Sequence, residues 1–104
     1  MAVVEVSITP LGAGYAGVSR YVAGCLQVVR ESGLKHQLTP MGTVIEGDLD
    51  EILRVIRKMH ESPFVAGALR VSTLIKIDDR HDTSEHTMAG KVRAVEEKLQ
   101  GVMT

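Results

Sequence analysis

Four side chains in the stretch HQLTPMGTVIEGD, residues 36–48, have the chemistry to hold a small flat ring. Thr39 and Thr43 offer hydroxyls that donate or accept, Met41 a polarizable thioether for a ring face or edge, and Glu46 a carboxylate that accepts from an exocyclic amine. The stretch reads as strand, break and second strand, so these groups can project from neighbouring strands toward one small pocket. The same residues also suit plain structure, because threonine is common in strands, methionine fills gaps and a glutamate can end a strand at the surface.

Two other stretches invite chemistry. The segment DDRHDTSEH, residues 78–86, places Asp79, His81, Asp82 and His86 close enough in sequence to ligate zinc or a hard cation. It also lies where a strand turns into a helix, and acidic groups there suit a solvated turn that complements the helix dipole. The loop PLGAGYAG, residues 10–17, could seat an anion on its amides or serve as a flexible connection. No phosphate loop of Walker type, GxSxG elbow or supported Cys–His pair is present, so no enzyme activity, metal or cofactor is expected. Cys25 is the only cysteine and sits in an apolar helical pattern, which makes it a small core residue rather than half of a disulfide. His36 and His60 stand alone and read as surface or edge histidines.

The elements that must position these groups follow from length and patterning. A chain of 104 residues with 44% hydrophobic and 24% charged residues is one globular domain, residues 1–104, with room for a few helices on one sheet. The net charge of −1 comes without a basic face, which argues against a nucleic-acid partner. No apolar run approaches the ~20 residues of a membrane span, and the N-terminus MAVVEVSIT lacks a charged leader region. A cytoplasmic location, with no membrane partner, is the expectation.

Val3 to Thr9 alternate as a half-buried strand, with Val4, Val6 and Ile8 on one side. Tyr21, Val22, Cys25, Leu26 and Val29 then recur at helical spacing, with Ser19 as expected N-cap and Gly33 as expected C-cap. Two strands follow, roughly Lys35–Met41 and Thr43–Glu46. Asp48 with Glu51 makes a capping box for a second helix whose buried face is Leu49, Ile52, Leu53, Ile56 and Met59, and Pro63 should help to stop it. A last strand runs about Arg70–Asp78, and a third helix about Glu85–Leu99 carries Met88, Val92, Val95 and Leu99 on one side.

That order predicts an α+β, ferredoxin-like βαββαβ fold with a four-stranded antiparallel sheet and an added C-terminal helix. Strands one and three should be central and strands two and four at the edges, with Pro40 tolerated on an edge strand because it lacks an amide proton. Two helices cover one sheet face only. The other face, with Glu5, Ser7, Thr9, Gln37, Thr39, Met41, Ser72 and Leu74, mixes polar and apolar groups and should meet another subunit or a ligand.

The segments VSITPLG (6–12), VSRYVA (18–23), LTPMGTVIEGD (38–48) and RVSTLIKIDDRHD (70–82) resemble the thiamine-binding, YkoF-like proteins over nearly the whole chain, with MGTVIEGD and IKIDDR the specific parts. The resemblance implies a ferredoxin-like homo-oligomer, a dimer or dimer of dimers, that binds thiamine or its hydroxymethylpyrimidine portion without catalysis, in thiamine salvage or transport. Carried onto matching positions, it implies a pocket of Ser7, Thr9, Ser19, Tyr21, Thr39, Met41, Thr43 and Glu46. Only Tyr15, Tyr21 and Phe64 are aromatic, too few to stack both rings of thiamine, which favours the pyrimidine half. The rival expectation is a structural or regulatory assembly module without a small ligand.

Overall fold

The computed structural model describes residues 1–12, 18–82 and 87–103. Its elements are β1 (Ala2–Pro10), α1 (Val18–Ser32), β2 (Lys35–Thr39), β3 (Gly42–Gly47), α2 (Leu49–Val65), β4 (Val71–Asp79) and α3 (Met88–Met103). All neighbouring strands are antiparallel and the sheet order is β2-β3-β1-β4, so the central and edge positions are as the element order predicts.

The period-2 pattern of β1 puts Val4 and Val6 under α1 and α2, where they join Cys25, Val29, Ile45, Ile52, Ile56 and Met59 in one buried cluster. Gly33 ends α1 with φ +76°, a conformation that glycine adopts without Cβ strain. Asp48 caps α2 by accepting the Glu51 amide at 3.2 Å.

Three sequence expectations change. Helix α1 begins at Val18, so Ser19 lies inside its first turn rather than capping it. Strand β2 stops at Thr39, and Pro40 and Met41 form the two-residue hairpin connection instead of continuing an edge strand. Pro63 does not end α2, which continues to Val65. A proline there removes the amide that would bond the Met59 carbonyl. The Cys25 thiol donates to that carbonyl instead, at 3.4 Å, so the lost bond is replaced from the neighbouring helix.

The third helix crosses one end of the sheet face that α1 and α2 leave open. Lys35, Glu46, Val3 and Asp78 form one cross-strand row, and the first turn of α3 sits on it. Glu46 accepts the Met88 amide at 2.7 Å, and Lys91 pairs with Asp78 at 2.5 Å. Thr87 caps the helix, its hydroxyl accepting the Gly90 amide at 2.9 Å. Beyond that turn the apolar stripe has no cover: Val92, Val95 and Leu99 are 58%, 59% and 56% exposed. Among the described residues no helix is long and apolar enough to cross a membrane.

Candidate functional site

The site arises where the sheet comes apart. The ladder between β1 and β3 ends at Val6–Thr43, while β1 goes on pairing with β4 through Ser7, Ile8, Thr9 and Pro10. The β2–β3 hairpin tip therefore leaves the side of β1 and opens a slot between them. Gly42 makes the departure possible. Its φ is +156°, and a Cβ there would stand 2.7 Å from the Val6 carbonyl oxygen, so no larger residue fits without moving backbone. Thr39 locks the tip by donating its hydroxyl to the Gly42 carbonyl at 2.9 Å and accepting the Met41 amide at 3.2 Å.

The slot is a cavity of about 240 Å³. Val6, Ile8 and Thr43 line it from the helix-covered side, Ser7 and Thr9 from the other, and Thr39 to Gly42 form its lip. Val18, Val22 and Cys25 of α1 and Met59 of α2 close it. Thr43 is the telling group. It is only 6% exposed, and its hydroxyl has no hydrogen-bond partner among the described residues. No buried side-chain oxygen or nitrogen in the described structure is sealed away without a partner, so this hydroxyl keeps its access to the cavity. Open to the slot, the hydroxyl can bond water there, and a ligand donor or acceptor can take that water's place.

The lining carries no carboxylate, amine, guanidinium or imidazole among the described residues. Its one ionisable group is the Cys25 thiol, and burial pushes that pKa above its ordinary value, which keeps it neutral. Hydroxyls, thioethers and apolar walls can orient a neutral ring; they offer no pair of groups for proton transfer.

Of the sequence-predicted site residues, Ser7, Thr9, Thr39, Met41 and Thr43 come together here, and Ser19, Tyr21 and Glu46 do not. Ser19 is exposed on the first turn of α1. Tyr21 is buried, its ring 5.0 Å from the Arg20 guanidinium and its hydroxyl accepting from Arg20 Nη2 at 3.2 Å. Glu46 is 5% exposed at the other end of β3, where it holds Met88 and, at 3.3 Å, Lys35. The cavity also takes Val22 and Met59, which apolar periodicity reads only as core, and Leu38, to which the sequence pattern gives no role; no sequence signal separates a cavity wall from a filled core.

The acidic segment before α3 is engaged in its own pairs. Arg80 grips Asp82 through two bonds of 2.8 and 2.7 Å, and His81 Nε2 lies 3.0 Å from Asp79. His86 falls outside the described residues, among which no group of three or more His, Cys, Asp or Glu is placed to hold a metal ion. His60 is also apart from the cavity, its Nδ1 2.6 Å from the Thr73 hydroxyl and its ring edge-on to Phe64.

Comparison with known proteins places this fold and slot in context. A Bacillus subtilis protein, UPF0045 protein YqgV, is 42% identical over 96% of this chain and 99% of its own length. The crystal structure of MJ1052 from Methanocaldococcus jannaschii superposes with a TM-score of 0.82 at 45% identity, covering 92% of this chain and 96% of that one. A Thermotoga maritima protein, TM0486, named for thiamine biosynthesis or salvage, shares the fold with a TM-score of 0.77 at 18% identity, over 90% of this chain and 97% of its own. Residues 4–96, which include every lining residue of the slot, match the family described as thiamine-binding protein, and it is to this family that the chain belongs.

Proposed function

We propose that the chain binds thiamine or its hydroxymethylpyrimidine portion, without catalysing its conversion, in thiamine salvage or transport. The observation that carries this reading is the Thr43 hydroxyl at the wall of the slot, on a residue 6% exposed and without a hydrogen-bond partner among the described residues. An aminopyrimidine presents both donors and acceptors along its edge, which the hydroxyls of Thr43, Ser7 and Thr9 can meet while Met41 and Met59 contact the ring. Membership of a family described by thiamine binding supports a thiamine-related role. Calorimetric titration of the purified protein with thiamine and with hydroxymethylpyrimidine tests it. Saturable heat with one of them is expected; no heat and no thermal shift at millimolar ligand removes the idea.

The protein also associates with itself in this reading, as a dimer or dimer of dimers through the open sheet face and α3. Its surface of 7217 Å² exceeds by roughly 1,500 Å² what a compact monomer of 11.3 kDa exposes. Its radius of gyration is 15.9 Å, against about 13 Å for a compact chain of this length. Exposed apolar residues on α3 and the open sheet face include Val92, Val95 and Leu99, and also Leu74, which is 73% exposed. One partner contributes about 800 Å² to a stable interface, so the excess surface is more than enough for one such contact. Sedimentation should therefore give a multiple of the chain mass, reduced by Leu74→Asp or Val95→Asp; a monomer at high concentration contradicts it.

A further inference from the structure

We infer that the outer edge of β4 pairs antiparallel with the β4 edge of a second copy of this chain, joining two four-stranded sheets side by side. This contact goes beyond the self-association proposed above, which uses the open sheet face and α3, and it leaves both of those surfaces available.

The two edges of the sheet differ. Strand β2 has five residues, and its Lys35, His36 and Gln37 line one groove with Val92 and Arg93 of α3. Strand β4 has nine residues, pairs with β1 in unbroken register, and has no second neighbour among the described residues. Proteins blunt an edge of that length with prolines, bulges, charges or a covering element. Here there is no proline or bulge, and Lys76, the one cation of the strand, stands opposite Glu5. The strand is apolar on both faces. Leu74 is 73% exposed on the open face, and Ile75 and Ile77 are 39% and 46% exposed on the face that carries the helices.

The ladder with β1 shows which backbone groups are on offer. The Leu11 amide donates to the Arg70 carbonyl at 2.8 Å, and along an antiparallel strand alternate residues turn both backbone groups to the same neighbour. Ser72, Leu74 and Lys76 therefore bond to β1, while Val71, Thr73, Ile75 and Ile77 turn their amides and carbonyls outward. Pro10 agrees with this alternation: it has no amide proton and stands opposite Val71, a pair that exchanges no bonds.

A two-fold axis normal to the sheet keeps the helices of both copies on one side and sets residues of the same face opposite each other. With Leu74 on the axis, Thr73 meets Ile75 and Val71 meets Ile77 in hydrogen-bonded pairs. On the open face Arg70 then meets Asp78, whose side chain is 47% exposed beside Lys91 and within reach of a second cation. Shifting the register by two residues sets Arg70 against Lys76 in one direction and Arg80 in the other. Like charges directly opposite are destabilising, so charge selects the arrangement centred on Leu74.

Residue-resolved amide exchange of the full chain tests the pairing, because a strand laid beside β4 bonds its outward amides. At a concentration where the chain associates, Thr73, Ile75 and Ile77 should exchange at least about tenfold more slowly than the amides of an open edge. Ile77→Lys should restore fast exchange there and lower the sedimenting mass. Fast exchange at these three amides beside slow exchange at Ser72 and Leu74 overturns the proposal, and leaves contact through the open face and α3 standing. Val95→Asp should weaken that other contact and leave the β4 protection unchanged. Leu74→Cys reads the register. On the axis its two Cα atoms would be about 4.5 Å apart, within disulfide reach, so oxidised glutathione should link the copies. Protected outward amides without a link in the folded variant overturn the Leu74-centred register.

Discussion

Thr43 and Glu46 stand three residues apart on β3, both more than nine-tenths buried, and differ in the company they keep. Glu46 is saturated, with the Met88 amide on one oxygen and Lys35 on the other. The Thr43 hydroxyl has no hydrogen-bond partner among the described residues and opens on the slot. An odd spacing in a strand sends the two side chains to opposite faces, so one belongs to the slot beneath α1 and the other to the seat of α3. Buried polar groups with partners hold structure together, and those without partners wait for something to arrive.

Substitutions at the two ends should separate those roles. Glu46→Ala strands the Met88 amide and should cost about 1–3 kcal/mol, concentrated in α3 and visible as faster amide exchange across its first turns. Ligand affinity should stay within about twofold, since the residue is remote from the slot. A large affinity loss instead would return Glu46 to the ligand site. Thr43→Val keeps the side-chain volume and removes the hydroxyl, so ligand affinity should fall by about 1 kcal/mol, roughly fivefold. Thermal stability of the free protein should hold, because the hydroxyl makes no bond to another described residue and the side-chain volume is kept. If Thr43→Val destabilises the free protein and leaves affinity alone, the contrast between the two ends fails.

The smallest effect concerns Cys25. Burial raises its folded pKa above that of the unfolded chain, so its contribution to stability is complete below the unfolded value of about 8.5. That contribution is lost as pH climbs through the folded value. Denaturation midpoints should therefore decline as pH rises above about 8.5, and Cys25→Ala should flatten that part of the profile while lowering stability throughout. An unchanged alkaline slope in Cys25→Ala would assign the decline to other groups.

Much of the fold was legible in periodicity. Val4 and Val6 alternated into the core, Asp48 announced α2, and the element order implied the sheet order. The hairpin misled because alternation continues through Pro40 and Met41, and only pairing of Thr39 with Gly42 places the turn. Pro63 misled because its effect depends on a carbonyl that a cysteine 34 residues away repairs. At the site, the residue types were readable and the grouping was not. Ser7, Thr9, Thr39, Met41 and Thr43 converge because a ladder stops one pair early, a matter of register and of one glycine's backbone. Glu46 had the right chemistry for a ligand, but its partner Met88 lies 42 residues on, beyond any local pattern.

The cross-strand row through Lys35, Glu46, Val3 and Asp78 has one more consequence, for assembly of the sheet. Sliding β3 by a single residue against β1 would turn Thr43 away from the slot and drive Glu46 into the space beneath the helices. A carboxylate there, cut off from water and from the α3 amide, costs several kcal/mol. The charge at one end of β3 thus acts as an alignment key, rejecting the misthreaded hairpin and keeping the hydroxyl at the other end in place without touching any ligand.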